Sequence, residues 1–255
     1  MPKIYDNIEN QLTTGLNETL EVSHRTDFCV GYFNLRGWKE VADKIDLLSG
    51  DIIKEGTEDI HRTCRLLVGM QKLPIDILRE HLTNDEDHII DQAEAVKLKK
   101  RLAQEFKDQL TIGTPTEADE KALRKLSRQM KDKKVAIKLH LRYTHHAKLY
   151  LAYSVDKGVP VVGFLGSSNL TLAGLAKQGE LNIDVLDQDA ANKLAKCFND
   201  HRESAATSKE KFSKTSLIAN DVIIEKASLV LKHIGENEIN HAFIAFADAI
   251  INDKI

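Results

Sequence analysis

Two short apolar runs on either side of a helix-patterned stretch constrain this chain more than any other feature. Residues 27–35 read D-F-C-V-G-Y-F-N-L and residues 64–70 read C-R-L-L-V-G-M. Both are rich in the aromatic and branched side chains that suit a buried strand. Between them, Gly37-Trp38 opens a stretch with Val41, Ala42, Ile45, Leu47 and Leu48 on its inner face. Strand, helix and strand at these distances predict a crossover unit, hence parallel strands with helices packed on the sheet. The strand period returns at 135–141, 145–154, 161–165 and 179–186. The expected class is therefore α/β, with a mixed, mostly parallel sheet flanked by helices.

Other segments carry helical signals. Ile4, Ile8, Leu12, Leu16 and Leu20 stand four apart and predict an amphipathic helix interrupted near Gly15. Leu170–Ala176 predicts about two helical turns. Residues 190–203 predict a helix with Leu194, Cys197 and Phe198 inward. Residues 75–134 show almost no strand signal and read as a helical, basic insertion. The Ser-, Thr- and Lys-rich stretch 204–216 reads as a linker. Beyond it, Ile223, Leu229, Phe243 and Ile250 give 217–255 the look of a helical extension that needs a surface to pack on. The expected organisation is one domain over residues 1–205 with that C-terminal extension.

With 42% hydrophobic residues and a net charge of −3, the chain can bury a core but has no global pull toward polyanions or membranes. Any such affinity must be local. Residues 121–142 hold nine Lys or Arg against the single acid Asp132. A solvated helix face is the plain reading of such a run. A cationic approach surface for nucleic acid is the functional one, with Arg124, Lys125, Arg128, Lys133, Lys134 and Arg142 as candidate contacts. Cys29, Cys64 and Cys197 are unpaired by spacing, and the first two sit in apolar runs as small buried thiols would. That usage suits a reducing compartment. The first residues, M-P-K-I-Y-D-N-I-E-N, lack an apolar signal core, and no run approaches the roughly 18 apolar residues of a membrane span. The expected location is cytoplasmic. No His or Cys pair has zinc-site spacing, so neither metal nor cofactor is expected.

The chemistry concentrates in 145–187. In H-H-A-K-L-Y-L-A-Y-S, alternation puts Leu149, Leu151 and Tyr153 on one side and His146, Lys148 and Tyr150 on the other. At about 3.3 Å per residue, His146 and Lys148 then project together about 7 Å apart. His145 falls on the opposite side and reads as structural or solvent-facing. His140 reads similarly, with substrate contact possible, while His201, His233 and His241 have no ligand-like partner in the sequence. Trp38 and Phe33 read as core rather than as stacking platforms. One strand later, Gly166-Ser167-Ser168-Asn169 ends a strand with groups able to donate to an anion. Glu180 follows eleven residues after Asn169, at the start of another strand and so at the same end of a sheet. A nucleophile, a cation, neutral donors and a carboxylate are what phosphoryl transfer without metal requires. The bland alternative for His146 and Lys148 is a snorkelling pair at a strand edge.

The strings H-A-K-L-Y-L, G-S-S-N-L-T and G-E-L-N-I resemble the phospholipase D superfamily of phosphodiesterases. More narrowly, the chain resembles its single-motif nuclease branch, which includes metal-independent restriction endonucleases and N-terminal nuclease modules of bacterial helicases. F-C-V-G-Y-F-N-L-R-G-W and C-R-L-L-V-G-M extend the likeness over roughly 25–200. The resemblance implies His146 as a nucleophile forming a phosphohistidine, Lys148 as phosphate clamp and Asn169 as a second oxyanion donor. Ser167 would support Asn169, and Glu180 would orient an imidazole. The family's motif carries an aspartate five residues after the lysine, where this chain has Tyr153. Because the family's mechanism uses two histidines and two lysines, the single H-x-K implies a homodimer with the site across its two-fold axis. The resemblance further implies DNA as substrate, a helicase or translocase partner, and a role in bacterial defence against foreign DNA. Two other readings are a catalytically vestigial nucleic-acid-binding or dimerisation module and a phospholipid phosphodiesterase.

Overall fold

The computed structural model describes residues 2–55, 57–69, 116–140 and 145–204. Arg142, most of the expected insertion, the 205–216 part of the linker and the 217–255 extension lie outside the described residues, as do His233 and His241. A seven-stranded sheet organises the rest, in the order β1-β9-β8-β7-β2-β5-β6. Its strands are β1 (Ile4–Tyr5), β2 (Ser23–Val30), β5 (Cys64–Val68), β6 (Val135–Leu139), β7 (Leu149–Ser154), β8 (Val161–Gly166) and β9 (Asn182–Val185). The crossover expected from the sequence is present: β2, β5 and β6 are mutually parallel. On the other side, β7 pairs antiparallel with β2, and β8, β9 and β1 continue antiparallel. Followed across the sheet, β1, β2, β5, β6 and β8 run one way and β7 and β9 the other. The sheet is thus mixed, with most strands sharing a direction.

Helices cover both faces. On one lie α1 (Leu12–Glu21), α2 (Leu35–Leu47) and α3 (Glu117–Lys131), packed over Phe28, Val30, Leu66, Val68, Tyr150 and Phe164. On the other, α4 (Gln188–Ser204) sets Ala191 and Phe198 against Cys29, Leu67, Leu149 and Leu151. The alternation read from 149–154 therefore holds, because Leu149 and Leu151 face α4 while Tyr150 enters the larger core. Trp38 and Phe33, both fully buried, meet edge to face with ring centroids 5.9 Å apart. Burial of side chains this large stabilises by about 1.5–3 kcal/mol each. The Trp38 indole N–H donates to Gln129 Oε1 at 3.1 Å, which ties α2 to α3.

Capping sets where these helices begin. Asn34 accepts from the Gly37 N–H at 3.0 Å, so α2 starts before Gly37. Thr116 and Asp119 form a capping box at the start of α3, whose first turn is acidic and last turn basic, as the helix dipole favours.

Three expectations need correction. The helix expected over 4–23 starts only at Leu12, since Ile4 and Tyr5 pair with β9 and Ile8 is exposed. Gly15 does not interrupt it; a side chain there would collide with the Tyr5 ring, 2.3 Å from a built Cβ. The polar stretch before β5 holds a hairpin, β3 (Asp51–Glu55) with β4 (Glu58–Arg62), which forms its own two-stranded sheet. Finally, the turns expected after Asn169 reduce to one wide turn at Ala173–Lys177.

Candidate active site

Five strand ends meet at one end of the sheet. Parallel β2 and β5 deliver their carboxyl ends there, at Gly31-Tyr32 and Gly69. Antiparallel β7 and β9 bring their amino ends, and β8 its carboxyl end. A cavity of about 390 Å³ opens at this end, with His146, Asn169 and Glu180 in its lining beside Gly31, Tyr32, Thr171 and Gln178. His146 is exposed, and Asn169 and Glu180 are half-buried.

His146 and Lys148 do not lie within a strand, as the sequence suggested, but in the extended lead-in to β7. This lead-in is pressed onto two strand ends without side chains. A Cβ on Gly69 would come within 2.3 Å of the His145 carbonyl oxygen, and one on Gly31 within 3.1 Å. Lys148 folds back so that Nζ donates to the His146 carbonyl oxygen at 2.7 Å. Burial lowers the Lys148 pKa, while the charges of Glu180 and Cys29 pull it back up. Glu180 is therefore close enough to be felt by that ammonium.

The G-S-S-N loop is held from several sides. The Tyr32 N–H donates to Asn169 Oδ1 at 2.9 Å, so the carboxamide oxygen is occupied by the backbone. That leaves the Asn169 NH₂ as the end available to an anion. Ser168 is buried: its carbonyl accepts from the Tyr150 hydroxyl at 2.9 Å and its Oγ from Asn182 Nδ2 at 2.8 Å. Ser167 donates to the Glu180 carboxylate and accepts from the Leu181 N–H at 2.9 Å. Ser167 thus fixes Glu180 rather than Asn169. Sequence reasoning passed over Tyr32, Thr171, Gln178 and Asn182; only proximity across more than a hundred residues singles out Tyr32.

His145, the neighbour of His146, is buried on the α4 side. Its Nε2 lies 2.8 Å from Cys29 Sγ, and its ring stacks on His140 at 5.0 Å and tilts against His201 at 5.1 Å. His201, read as lacking a partner, also lies with Nδ1 3.3 Å from Cys197 Sγ. Burial, then the nearby His140 and His201, press the His145 pKa down to about 4; burial pushes the Cys29 thiol up to about 12. Both are neutral near pH 7. Cys29 and Cys64 are buried free thiols, whereas Cys197 is exposed on α4 rather than inward. Among the described residues, no group of three or more His, Cys, Asp or Glu side chains is placed to hold a metal ion.

Tyr153, five residues after Lys148, donates to Asp27 Oδ2 at 2.8 Å. Asp27 is fully buried and ion-paired with Arg25 at 2.8 Å and Arg65 at 2.6 Å. The Tyr153 hydroxyl thus joins β7 to a buried ion-pair cluster on the neighbouring strands.

Among the described residues, the candidate nucleic-acid contacts are not gathered at the cavity. Arg124 pairs with Glu120, Lys125 with Asp43, and Arg128 with Asp46 at 2.8 Å. Lys133 and Lys134 precede β6, at the amino end of the parallel strands and so opposite the cavity. No helix among the described residues is long and apolar enough to cross a membrane.

The fold and cavity together define an α/β protein with histidine, lysine, carboxamide and carboxylate groups converging at strand ends. No protein-family model matches the chain, and no curated protein matches it. Solved structures to which it is similar include Nuc, a phospholipase D family member from Salmonella typhimurium, at 9% identity and TM-score 0.45, over 80% of this chain and 95% of that one. NucT from Helicobacter pylori is 12% identical at TM-score 0.38, over 80% of this chain and 96% of that one. Phosphatidylserine synthase from Haemophilus influenzae Rd KW20 is 13% identical at TM-score 0.44, over 94% of this chain and 46% of that one. Similarity this distant leaves the activity to be argued from the side chains themselves.

Proposed function

We propose that this protein is a metal-independent phosphodiesterase that cleaves DNA through a phosphohistidine at His146. The observation that carries the reading is the shared cavity of His146, Asn169 and Glu180, with Lys148 hydrogen-bonded to the His146 backbone. A phosphodiester seated there meets an imidazole, an ammonium and a carboxamide NH₂. The imidazole nitrogen attacks phosphorus, and the bond from phosphorus to the leaving oxygen breaks as the nitrogen–phosphorus bond forms. Lys148 and Asn169 neutralise charge on the non-bridging oxygens. Glu180, anchored by Ser167, orients an imidazole. A second imidazole gives its proton to the leaving oxygen, then takes one from the water that frees the histidine. One chain supplies one H-x-K, so the second imidazole is His146 of a second copy across a two-fold axis.

The cations of 124–134 then serve long substrates. Lys134 lies about 16 Å from the cavity end of β6, counting about 3.3 Å per residue, so a strand of several nucleotides spans both. Arg142 belongs to the same proposed contact set. A helicase or translocase partner and a role in defence against foreign DNA complete the proposal, on the strength of the sequence resemblance.

The test incubates plasmid and single-stranded DNA with wild type and His146→Ala in EDTA. EDTA-resistant cleavage absent from the variant is expected. Equal cleavage by both proteins would sink the reading, and retained DNA binding with no cleavage by wild type would favour the vestigial module.

A further inference from the structure

We infer that the cavity wall beside His146 is a subsite for one unpaired nucleobase, with the Tyr32 ring as its stacking platform. Single-stranded DNA is then the form of substrate that the site takes. The inference rests on the reading of the cavity as the place where the phosphodiester is held. The wall is a short parallel ladder beyond the ends of β2 and β8, in which Phe33 pairs with Leu170. The Leu170 N–H donates to the Tyr32 carbonyl oxygen, and the Asn34 N–H to the Leu170 carbonyl oxygen, each at 3.2 Å. Extended residues alternate sides. Phe33 and Leu170 are both fully buried in the larger core, while their neighbours Tyr32, Asn34, Asn169 and Thr171 line the cavity.

Backbone bonds set the polarity of this wall. Asn34 Oδ1 accepts from the Gly37 N–H, Asn169 Oδ1 from the Tyr32 N–H, and Thr171 Oγ1 from the Gly174 N–H. Each bond occupies an oxygen and leaves an NH₂ or a hydroxyl hydrogen to donate. The four residues thus offer one aromatic face and three neutral donors, with no charge among them. A second phosphate would call for a cation. A flat heterocycle with carbonyl oxygens or ring nitrogens fits, and every nucleobase carries such acceptors. Position and size agree. Tyr32 follows Gly31, where a Cβ would stand 3.4 Å from Lys148 Nζ, so the ring begins one residue from the cation assigned to the phosphate. The cavity of about 390 Å³ is in the range that encloses a whole small ligand, which leaves room beyond the phosphate for one nucleoside. In a duplex, the base beside the scissile phosphate is paired and stacked. It reaches Tyr32 only if pulled out of the helix, a cost that a single strand is spared.

The test measures binding of a five-residue oligothymidylate and of its abasic counterpart, which carries the same phosphates, by fluorescence anisotropy. The full chain carries His146→Ala so that the ligand survives. It is expected to bind the oligothymidylate about tenfold more tightly than the abasic strand, as stacking of one base on an aromatic ring supports. Adding Tyr32→Leu should shrink that ratio to about twofold or less, and adding Tyr32→Phe should keep it, because the ring remains. If Tyr32→Leu loses its circular dichroism spectrum, Tyr32→Val takes its place. A ratio near one before the ring is removed, unmoved by its removal, or lost with Tyr32→Phe would overturn the subsite. With His146 intact, kcat/KM in EDTA for a single strand should exceed that for the same strand in a duplex at least tenfold; equal values would also overturn it. Base discrimination that depends on Tyr32, in a protein that cleaves no phosphodiester, would uphold the subsite and overturn the catalytic reading instead.

Discussion

His145 and His146 are adjacent in sequence and opposite in environment. His146 meets solvent in the cavity, while His145 is buried against Cys29, His140 and His201. His140, His201, His146 and Lys148 all disfavour a proton on His145. Its folded pKa, about 4, lies below the ordinary 6.5, so between these values the unfolded chain binds more protons. Its stabilising contribution is present above pH 6.5 and is lost as pH falls toward 4. Thermal unfolding midpoints should drop across that window, and His145→Gln should flatten the drop. Asp27 acts in a different window. Burial alone would raise its pKa, but the hydrogen bond and charge of Arg65, then the charge of Arg25, hold it below 3.8. Its contribution is present above pH 3.8 and disappears as pH falls through the lowered value. Asp27→Ala removes the buried carboxylate that Arg25 and Arg65 share and should cost about 3–5 kcal/mol in urea unfolding at pH 7. Alternation alone separates His145 from His146 in the sequence. What covers His145 was not legible, because Cys29 is 116 residues away.

At the scale of elements, the site depends on close backbone approach and on one buried clamp. Gly69→Ala forces the β5 end against the His145 carbonyl and should displace the segment carrying His146 and Lys148. A cost of about 1–3 kcal/mol, typical of overpacking, should accompany at least a tenfold loss of cleavage. Asn182→Ala removes the side chain that holds Ser168, and leaving that loop unclamped should cost about 1–3 kcal/mol in urea unfolding. Tyr150→Phe, which loses a single hydrogen bond to the Ser168 carbonyl, should cost about 1 kcal/mol. Strands buried on both faces, such as β5, were legible as apolar runs. The β3–β4 hairpin was not, since its side chains are mostly exposed and show no buried face to betray a period. The shift of His146 off the strand also escaped the sequence, because an extended lead-in and a strand share one alternation.

Across the described sheet, the cavity residues and the Lys133–Lys134 pair sit at opposite ends. Charge reversal at Lys133 and Lys134 should therefore weaken binding of a long oligonucleotide at low salt, by fluorescence anisotropy, and reduce its salt dependence. Hydrolysis of a small activated phosphodiester by the same variant should match wild type. The mixed α/β class followed from a crossover pattern that local sequence carries. The placement of the basic stretch did not, because it depends on the direction of β6 and on the acids of α2 that receive Lys125 and Arg128. Tyr32 and Asn169, joined by a backbone-to-side-chain hydrogen bond, are 137 residues apart, and the Asn182 clamp lies further on still. A ribosome must therefore have released nearly two hundred residues before His146 can face a finished wall. An unfinished chain still on the ribosome carries His146 but not the pocket around it.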